Sequence, residues 1–339
     1  MAILDNIYLS SGYLDFPKLV ENTEGWLMIF GGRGVGKTYG ALQYVVNNKI
    51  KFFYVRRLQT QIDEIKKATK NPFKKINKNL GIDVQIKPSG KQGVNFVLNG
   101  EIIGSGAALS TIANIRGFDG DDIEMIIFDE FIPERHEAKI QGEAEALYNA
   151  YETINRNREL EDPPRKPVKL VCLANANAID CPLFLSLGLV TTVEKMKKDH
   201  TQIKQIGKDI TLVNMENSPI SKQKENTLLY RVTAKSDFSK MALDNAFAYD
   251  DFGGVNSIKL KGFKPLATIG EITIYKNTKT NFYYVSEHLS GSPKTYGTNE
   301  RERKQFQRDQ WRLYNKYIDG KFIFENYLCK ALFLKYIDS

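Results

Sequence analysis

The stretch WLMIFGGRGVGKTYGALQYVVN, residues 26–47, decides the fold. Its first five residues, WLMIF, are a short apolar run that stops at a glycine cluster, the pattern of a buried parallel strand. Beyond the glycines, Ala41, Leu42, Val45 and Val46 recur at helical spacing between Lys37 and Asn47, and KFFYV (51–55) reads as a second strand. Strand, helix and strand in this order predict a βαβ unit with the usual right-handed crossover. Between the first strand and the helix, Gly31-Gly32-Arg33-Gly34-Val35-Gly36-Lys37-Thr38 satisfies G-x-x-x-x-G-K-[ST], in the strand-to-helix context that confirms a phosphate-binding loop. Glycines let backbone N–H groups fold around phosphates, and the helix N-terminus adds its partial positive charge. Lys37 is expected to reach the β and γ oxygens of ATP, and Thr38 to offer its hydroxyl to Mg²⁺. Two readings of Arg33 stand side by side: a cation on the γ-phosphate, or a solvated side chain.

Two further apolar runs end in polar residues: IEMIIF (123–128) at Asp129-Glu130, and KLVCLA (169–174) at Asn175. In open α/β sheets that edge is where ligands bind. An Asp-Glu pair there is what a phosphate loop needs for hydrolysis, with Asp129 on Mg²⁺ and Glu130 orienting the attacking water. Asn175 suits a sensor of the γ-phosphate or of that water. Arg156 and Arg158 close a helix-like stretch from Gly142 to Leu160, and Arg116 precedes the Asp-Glu strand. Each is a candidate to stabilise transition-state charge from a neighbouring subunit, although each taken alone reads first as an ordinary surface arginine. For the adenine pocket only Tyr8 and Tyr13 suggest themselves, as stacking residues.

Around this centre the chain is less regular. A hydrophilic helix is predicted from Thr60 to Lys70. Three short β segments follow, near 83–87, 94–98 and 101–104, the last two joined by the hairpin signal Asn99-Gly100. They read as an antiparallel insertion outside the parallel core. Arg56, Arg57, Lys66 and Lys67 after the second strand are basic side chains and candidate contacts for DNA phosphates; a solvated helix face is the alternative. From Thr192 to Leu243 the pattern weakens into a linker. The last quarter is α+β, with strand-like runs at 256–260, 265–275 and 281–286, helical periodicity through Phe306, Trp311, Leu313 and Tyr317, and an apolar stretch at 327–336. The expected domains are 1–200, a P-loop domain; 201–245, a linker; and 246–339, a basic C-terminal domain.

With 339 residues, 42% hydrophobic and 26% charged, the chain has enough apolar content for a core and no apolar run long enough to cross a membrane. Three cysteines without a C-x-x-C pair argue against a disulfide framework and a structural zinc site, and favour a reducing cytoplasm. The opening MAILDNIYLSSGYLDF shows no signal-peptide pattern. The formal charge of +8 is unevenly spread: Asp251 to Ser339 hold 15 Lys or Arg against 9 Asp or Glu, which leaves 33 against 31 before them. A basic C-terminal quarter suggests a polyanion partner or a solubilising surface.

The motifs GGRGVGKT, FFYVRR, IIFDEF, INRNREL and LVCLANAN, in this order and spacing, together with MALDNAFA (241–248), resemble the DNA-packaging ATPases of small short-tailed bacteriophages with protein-capped linear genomes. That family is related to large terminase subunits. The resemblance implies an additional-strand, RecA-like P-loop ATPase domain followed by a smaller domain similar to a degenerate RNase H-type nuclease. It implies a ring, usually of five subunits, that acts in the host bacterial cytoplasm at the portal vertex of a prohead. There it drives double-stranded DNA inward by ATP hydrolysis, in contact with the portal or a packaging RNA. By this resemblance Lys37 and Thr38 match the phosphate-loop pair, Asp129 the metal-binding acid and Glu130 the catalytic glutamate. Arg156 matches the trans-acting finger, with Arg158 beside it, and Arg116 a basic residue used across the subunit boundary, where a Lys is familiar. Nuclease activity is not expected, although Asp251, Glu271 and Glu287 lie on strand-like segments. The alternatives are a complete large terminase that also cuts DNA, and a nucleotide-switched scaffold.

Overall fold

The computed structural model describes residues 6–67, 70–115, 120–134, 137–216, 218–236, 239, 252–289, 291 and 294–337. The chain divides into two compact units, Met1–Leu187 with Lys195–Tyr249, and Gly188–Glu194 with Asp250–Ser339. In chain order the elements up to residue 232 are α1 (Phe16–Glu21), β1 (Trp26–Gly31), α2 (Lys37–Asn47), β2 (Phe52–Arg56), α3 (Gln59–Lys66), α4 (Lys74–Leu80), β3 (Gln85–Ser89), β4 (Gly93–Leu98), β5 (Glu101–Ala108), β6 (Met125–Asp129), α5 (Glu143–Asn155), β7 (Lys169–Asn175), α6 (Pro182–Ser186), α7 (Val190–Lys198), β8 (Ile203–Ile206), β9 (Ile210–Met215), α8 (Pro219–Glu225) and α9 (Leu228–Val232).

Nine strands form one sheet in the order β3-β4-β5-β2-β6-β7-β1-β9-β8. Its centre is parallel, and β1, β6 and β7 are buried along nearly their whole length, as strands covered on both faces must be. The phosphate-loop strand β1 and the Asp-Glu strand β6 are not neighbours, because β7 lies between them. This is the additional-strand arrangement that the family resemblance implies. Register is tight: Gly31 stands opposite Asn175, and Asp129 opposite Leu173.

Two expectations about the strands of the first unit need correction. The β segments of residues 83–108 are not an insertion outside the core. Asn99 and Gly100, at φ 52° and 86°, make the two-residue turn between β4 and β5, and β5 then pairs in parallel with β2 and extends the sheet. Gly104 permits that pairing, since a β-carbon there would come within 2.5 Å of the Phe52 ring. Residues 201–245 are not a linker throughout either. ITLVNM of β9 is buried against β1, and β8 closes the edge beside it, so the first unit continues past residue 200. Six residues suffice for such a strand, too few for a periodic signal amid the Lys, Asn and Thr around them.

The second unit has β10 (Phe263–Ile269), β11 (Ile272–Asn277), β12 (Tyr283–Ser286), β13 (Thr295–Tyr296), α10 (Glu300–Asp309), α11 (Arg312–Ile318), β14 (Phe322–Phe324) and α12 (Tyr327–Ile337). Its sheet runs β13-β10-β11-β12-β14, with β10, β11 and β12 an antiparallel meander. The run 265–275 is therefore a hairpin that turns at Gly270, φ 51°. Residues 256–260 form no strand; Val255 makes a single bridge to Phe324. The helical periodicity of 306–317 is split between α10 and α11. MALDNAFA (241–248) lies outside the described residues.

Candidate active site

The strand ends deliver three groups of polar residues to one edge. Gly31 ends β1, and the loop reaches α2 through Gly34 and Gly36, whose φ values of 64° and 100° belong to glycine. Lys37 is buried; its Nζ donates to the carbonyls of Gly32 at 2.7 Å and Gly31 at 3.1 Å, and lies 3.4 Å from Asn175 Oδ1. Burial pushes this ammonium down to about 7; Asp129 opposes the shift, and the cations Lys224 and Arg33 add to it. Arg33 is half-exposed and ion-paired with Glu134.

Thr38 Oγ1 lies 3.1 Å from both carboxylate oxygens of Asp129. The buried Tyr54 hydroxyl donates to Asp129 Oδ2 at 2.7 Å, and Arg56 Nη1 does so at 3.2 Å. Two hard oxygen donors beside the phosphate loop fit Mg²⁺, and the neighbouring donors fix the carboxylate's orientation. Glu130, the next residue, leaves the strand at φ 64°, a strained conformation for a non-glycine residue. Its N–H and that of Phe131 both donate to the Leu173 carbonyl, so β7 anchors the strained turn. The Glu130 carboxylate is ion-paired with Arg56 and accepts from Gln61 Nε2 at 3.1 Å. Burial raises its pKa, Arg56 works against that rise, and Asp129 and Glu137 add to it.

Lys37, Thr38, Asp129, Glu130 and Asn175 line a cavity of about 660 Å³, together with Tyr13, Tyr39, Gln43 and Asn79. The size suits a nucleotide, and the aromatic and amide lining suits a base. Tyr13 lines this cavity, whereas Tyr8 is buried with its hydroxyl donating to the Glu216 carbonyl, so Tyr8 is not a stacking residue.

The predicted trans arginines separate sharply. Arg156 caps α5 at φ 45°, and its half-exposed side chain lies 3.9 Å from Asp121. Arg158 is only 4% exposed, and its guanidinium donates to the carbonyls of Ile123, Gly120, Ile154 and Asn155. Its donors are spent on carbonyls of its own chain. Arg116 lies outside the described residues. Among the DNA candidates, Arg57 is corrected outright: it is buried, forked onto Glu143 at 2.6 and 2.8 Å, and paired with Glu137. Arg56 belongs to the active-site carboxylates. Lys66 is tied to Asp63 and to the Lys91 carbonyl, and Lys67 is exposed.

Sequence reasoning missed Tyr54 and the role of Arg56. Both lie on one face of β2 by strand alternation, and that signal becomes useful only once β2 is known to pair with β6. In the second unit Glu271 sits at the β10–β11 turn, and Asp251 lies outside the described residues. Glu287 lies beside Glu325 and Cys329, with ligand atoms within 4.8 Å of one another. Burial and the two carboxylates push the Cys329 thiol up to about 12.

Parallel sheet, intervening strand, phosphate loop and Asp-Glu pair define a P-loop NTPase of the additional-strand class. The family described as podovirus DNA encapsidation protein (Gp16) matches residues 11–295, and the chain belongs to it. The DNA packaging protein of Bacillus phage phi29 is 28% identical over 228 residues, 66% of this chain and 62% of that relative. The match thus spans less than two thirds of the relative's length. The solved bacteriophage Phi-29 viral genome packaging motor assembly is similar in fold, with TM-score 0.69 and 20% identity over 95% of this chain and 98% of that one. The Phi-28 gp11 DNA packaging motor gives TM-score 0.66 and 21% identity over 97% of this chain and 99% of that one. No helix among the described residues is long and apolar enough to cross a membrane.

Proposed function

We propose that this chain is an ATP-driven translocase that packages double-stranded DNA into a phage prohead through its portal. It acts as a ring of subunits, five by the family resemblance, in the host bacterial cytoplasm and at the prohead vertex. The observation that carries this reading is Thr38 Oγ1 at 3.1 Å from both oxygens of Asp129, beside Lys37 and Glu130, in a chain of the encapsidation family. Thr38 and Asp129 would hold Mg²⁺, which offsets phosphate charge when bound. Lys37 and the loop amides bind the phosphates. Glu130 takes the proton of the attacking water, and Arg56 and Gln61 aim its carboxylate. Asn175, within reach of Lys37, registers the terminal phosphate. Arg156, the exposed one of the two arginines, supplies charge to the neighbouring subunit's site.

The second unit is proposed as a basic docking domain for the portal or a packaging RNA, similar to a degenerate RNase H-type nuclease. Glu287 and Glu325 share their corner with a protonated thiol, a poor partner for hard Mg²⁺, which supports a domain that does not cut.

The test is phosphate release by purified protein on proheads with and without double-stranded DNA. Stimulation by DNA is expected, and Glu130→Gln should lower turnover about a hundredfold or more while nucleotide binding persists. Turnover retained in Lys37→Ala would overturn the phosphate-loop assignment. Plasmid cleavage with Mg²⁺ or Mn²⁺ would instead favour a complete terminase, and ATP binding without turnover a switched scaffold.

A further inference from the structure

Lys224 reaches the phosphate loop from outside it. It lies on α8, nearly two hundred residues downstream, and its Nζ donates to the Arg33 carbonyl. It approaches so closely that a β-carbon on Gly34 would lie 2.8 Å from Nζ. Gly34 is therefore glycine for two reasons, its φ of 64° and this contact. α8 is docked at the same edge of the cavity: Ser218 Oγ donates to the Gly12 carbonyl, and Pro219 and Ile220 pack against Gly12 in the segment that carries Tyr13.

Charge gives this contact a purpose. Three cations converge on the loop. Arg33 is paired with Glu134, and Lys37 faces Asp129. Lys224 is half-buried with a depressed pKa, and among the described residues its partner is a neutral carbonyl rather than a carboxylate. An ammonium has three donors on a flexible stem, and the Arg33 carbonyl takes one. A partly desolvated, uncompensated cation beside a loop built for phosphates is favourable only when an anion joins it.

We infer that Lys224 binds the phosphate chain of the nucleotide in cis, beyond the α-phosphate. This rests on the reading of residues 31–38 as an ATP site. α8 leads directly into α9, so the phosphate that holds Lys224 also holds the segment by which the chain leaves the ATPase unit.

The experiment compares binding of fluorescent ATP, ADP and AMP to the full chain carrying Lys224→Met, Lys224→Arg or Lys222→Met. Lys222 is exposed on the same helix and should behave as wild type. Lys224→Met should weaken ATP about tenfold to a hundredfold, the range of a hydrogen bond to a charged group, and leave AMP unchanged. Lys224→Arg should recover most of the loss. Weakening of ATP and ADP alike assigns the contact to the β-phosphate, and weakening of ATP alone to the γ-phosphate. A second readout is independent of folding defects: ATP should protect Lys224, but not Lys222, of the wild-type chain from acetylation read by mass spectrometry. ATP affinity of Lys224→Met within twofold of wild type, or acetylation of Lys224 indifferent to ATP, would overturn the inference. A wild-type chain that binds no ATP would instead fail the reading beneath it.

Discussion

Replacing Arg57 by Met should unfold the first unit early rather than weaken a contact with DNA. The guanidinium is 1% exposed, forks onto both oxygens of Glu143 at 2.6 and 2.8 Å, and pairs with Glu137. Its removal strands two carboxylates that are themselves 4% and 11% exposed. Breaking a buried pair from one side costs about 3–5 kcal/mol. Glu143 opens α5, where the helix N-terminus returns about 1 kcal/mol to a carboxylate, so the expected loss is about 2–4 kcal/mol. For a unit of this size that is a fall of roughly 5 to 15 °C in Tm. The chain has two tryptophans, Trp26 on β1 and the exposed Trp311 in the second unit, so a Trp311→Phe background makes fluorescence report the ATPase unit alone. Glu143→Gln added to Arg57→Met should restore part of the loss. A transition within about 2 °C of the reference, with DNA affinity reduced and its salt dependence flattened, would refute the buried-anchor reading and return Arg57 to the DNA channel.

Tyr13→Ala should weaken nucleotide binding about fivefold to a hundredfold, the range of a base–aromatic stack, with Tyr8→Phe unchanged; equal affinities for all three would place the base elsewhere. Rings mixed from Arg156→Ala and Glu130→Gln subunits should recover hydrolysis at mixed interfaces, and no recovery at any ratio, with rings formed, would exclude Arg156 as a trans residue. Burial lowers Lys169 to about 8, with Glu24 opposing. The unfolded chain therefore binds more protons between about pH 8 and 10.5, and stability should rise with pH across that window. Denaturant titrations of Lys169→Met should show a shallower rise; an unchanged slope would assign it to other groups.

The centre of the molecule was legible because its signals are local. WLMIF, the glycines and Lys37-Thr38 are contiguous, and IIFDEF and LVCLAN each announce a strand and its functional end. What lay hidden depends on strand order. That Tyr54 and Arg56 serve the carboxylates follows from β2 lying beside β6, and that 210–215 is core follows from β9 lying beside β1. Neither adjacency leaves a trace in periodicity. The adjacent arginines of FFYVRR look equivalent in sequence, yet strand pleating sends Arg56 to the active site and Arg57 into an ion-paired interior. Arg156 and Arg158 diverge for a related reason: the chain turns through two left-handed residues, Arg156 and Asn157, which leaves one side chain outside and folds the next arginine under.

The strand β7 sets the distance between the two halves of the site as a caliper does. Leu173 stands opposite Ile29 on one side and Asp129 on the other, and Asn175 stands opposite Gly31. Each residue along a strand advances about 3.3 Å and reverses the side-chain face. One residue inserted just before Leu173, with the start of the strand held in register, would move Asn175 off Lys37 and take the Leu173 carbonyl away from Glu130. An insertion in the exposed turn between β3 and β4 would do none of this. The length of these seven residues is thus as much a part of the site as their side chains.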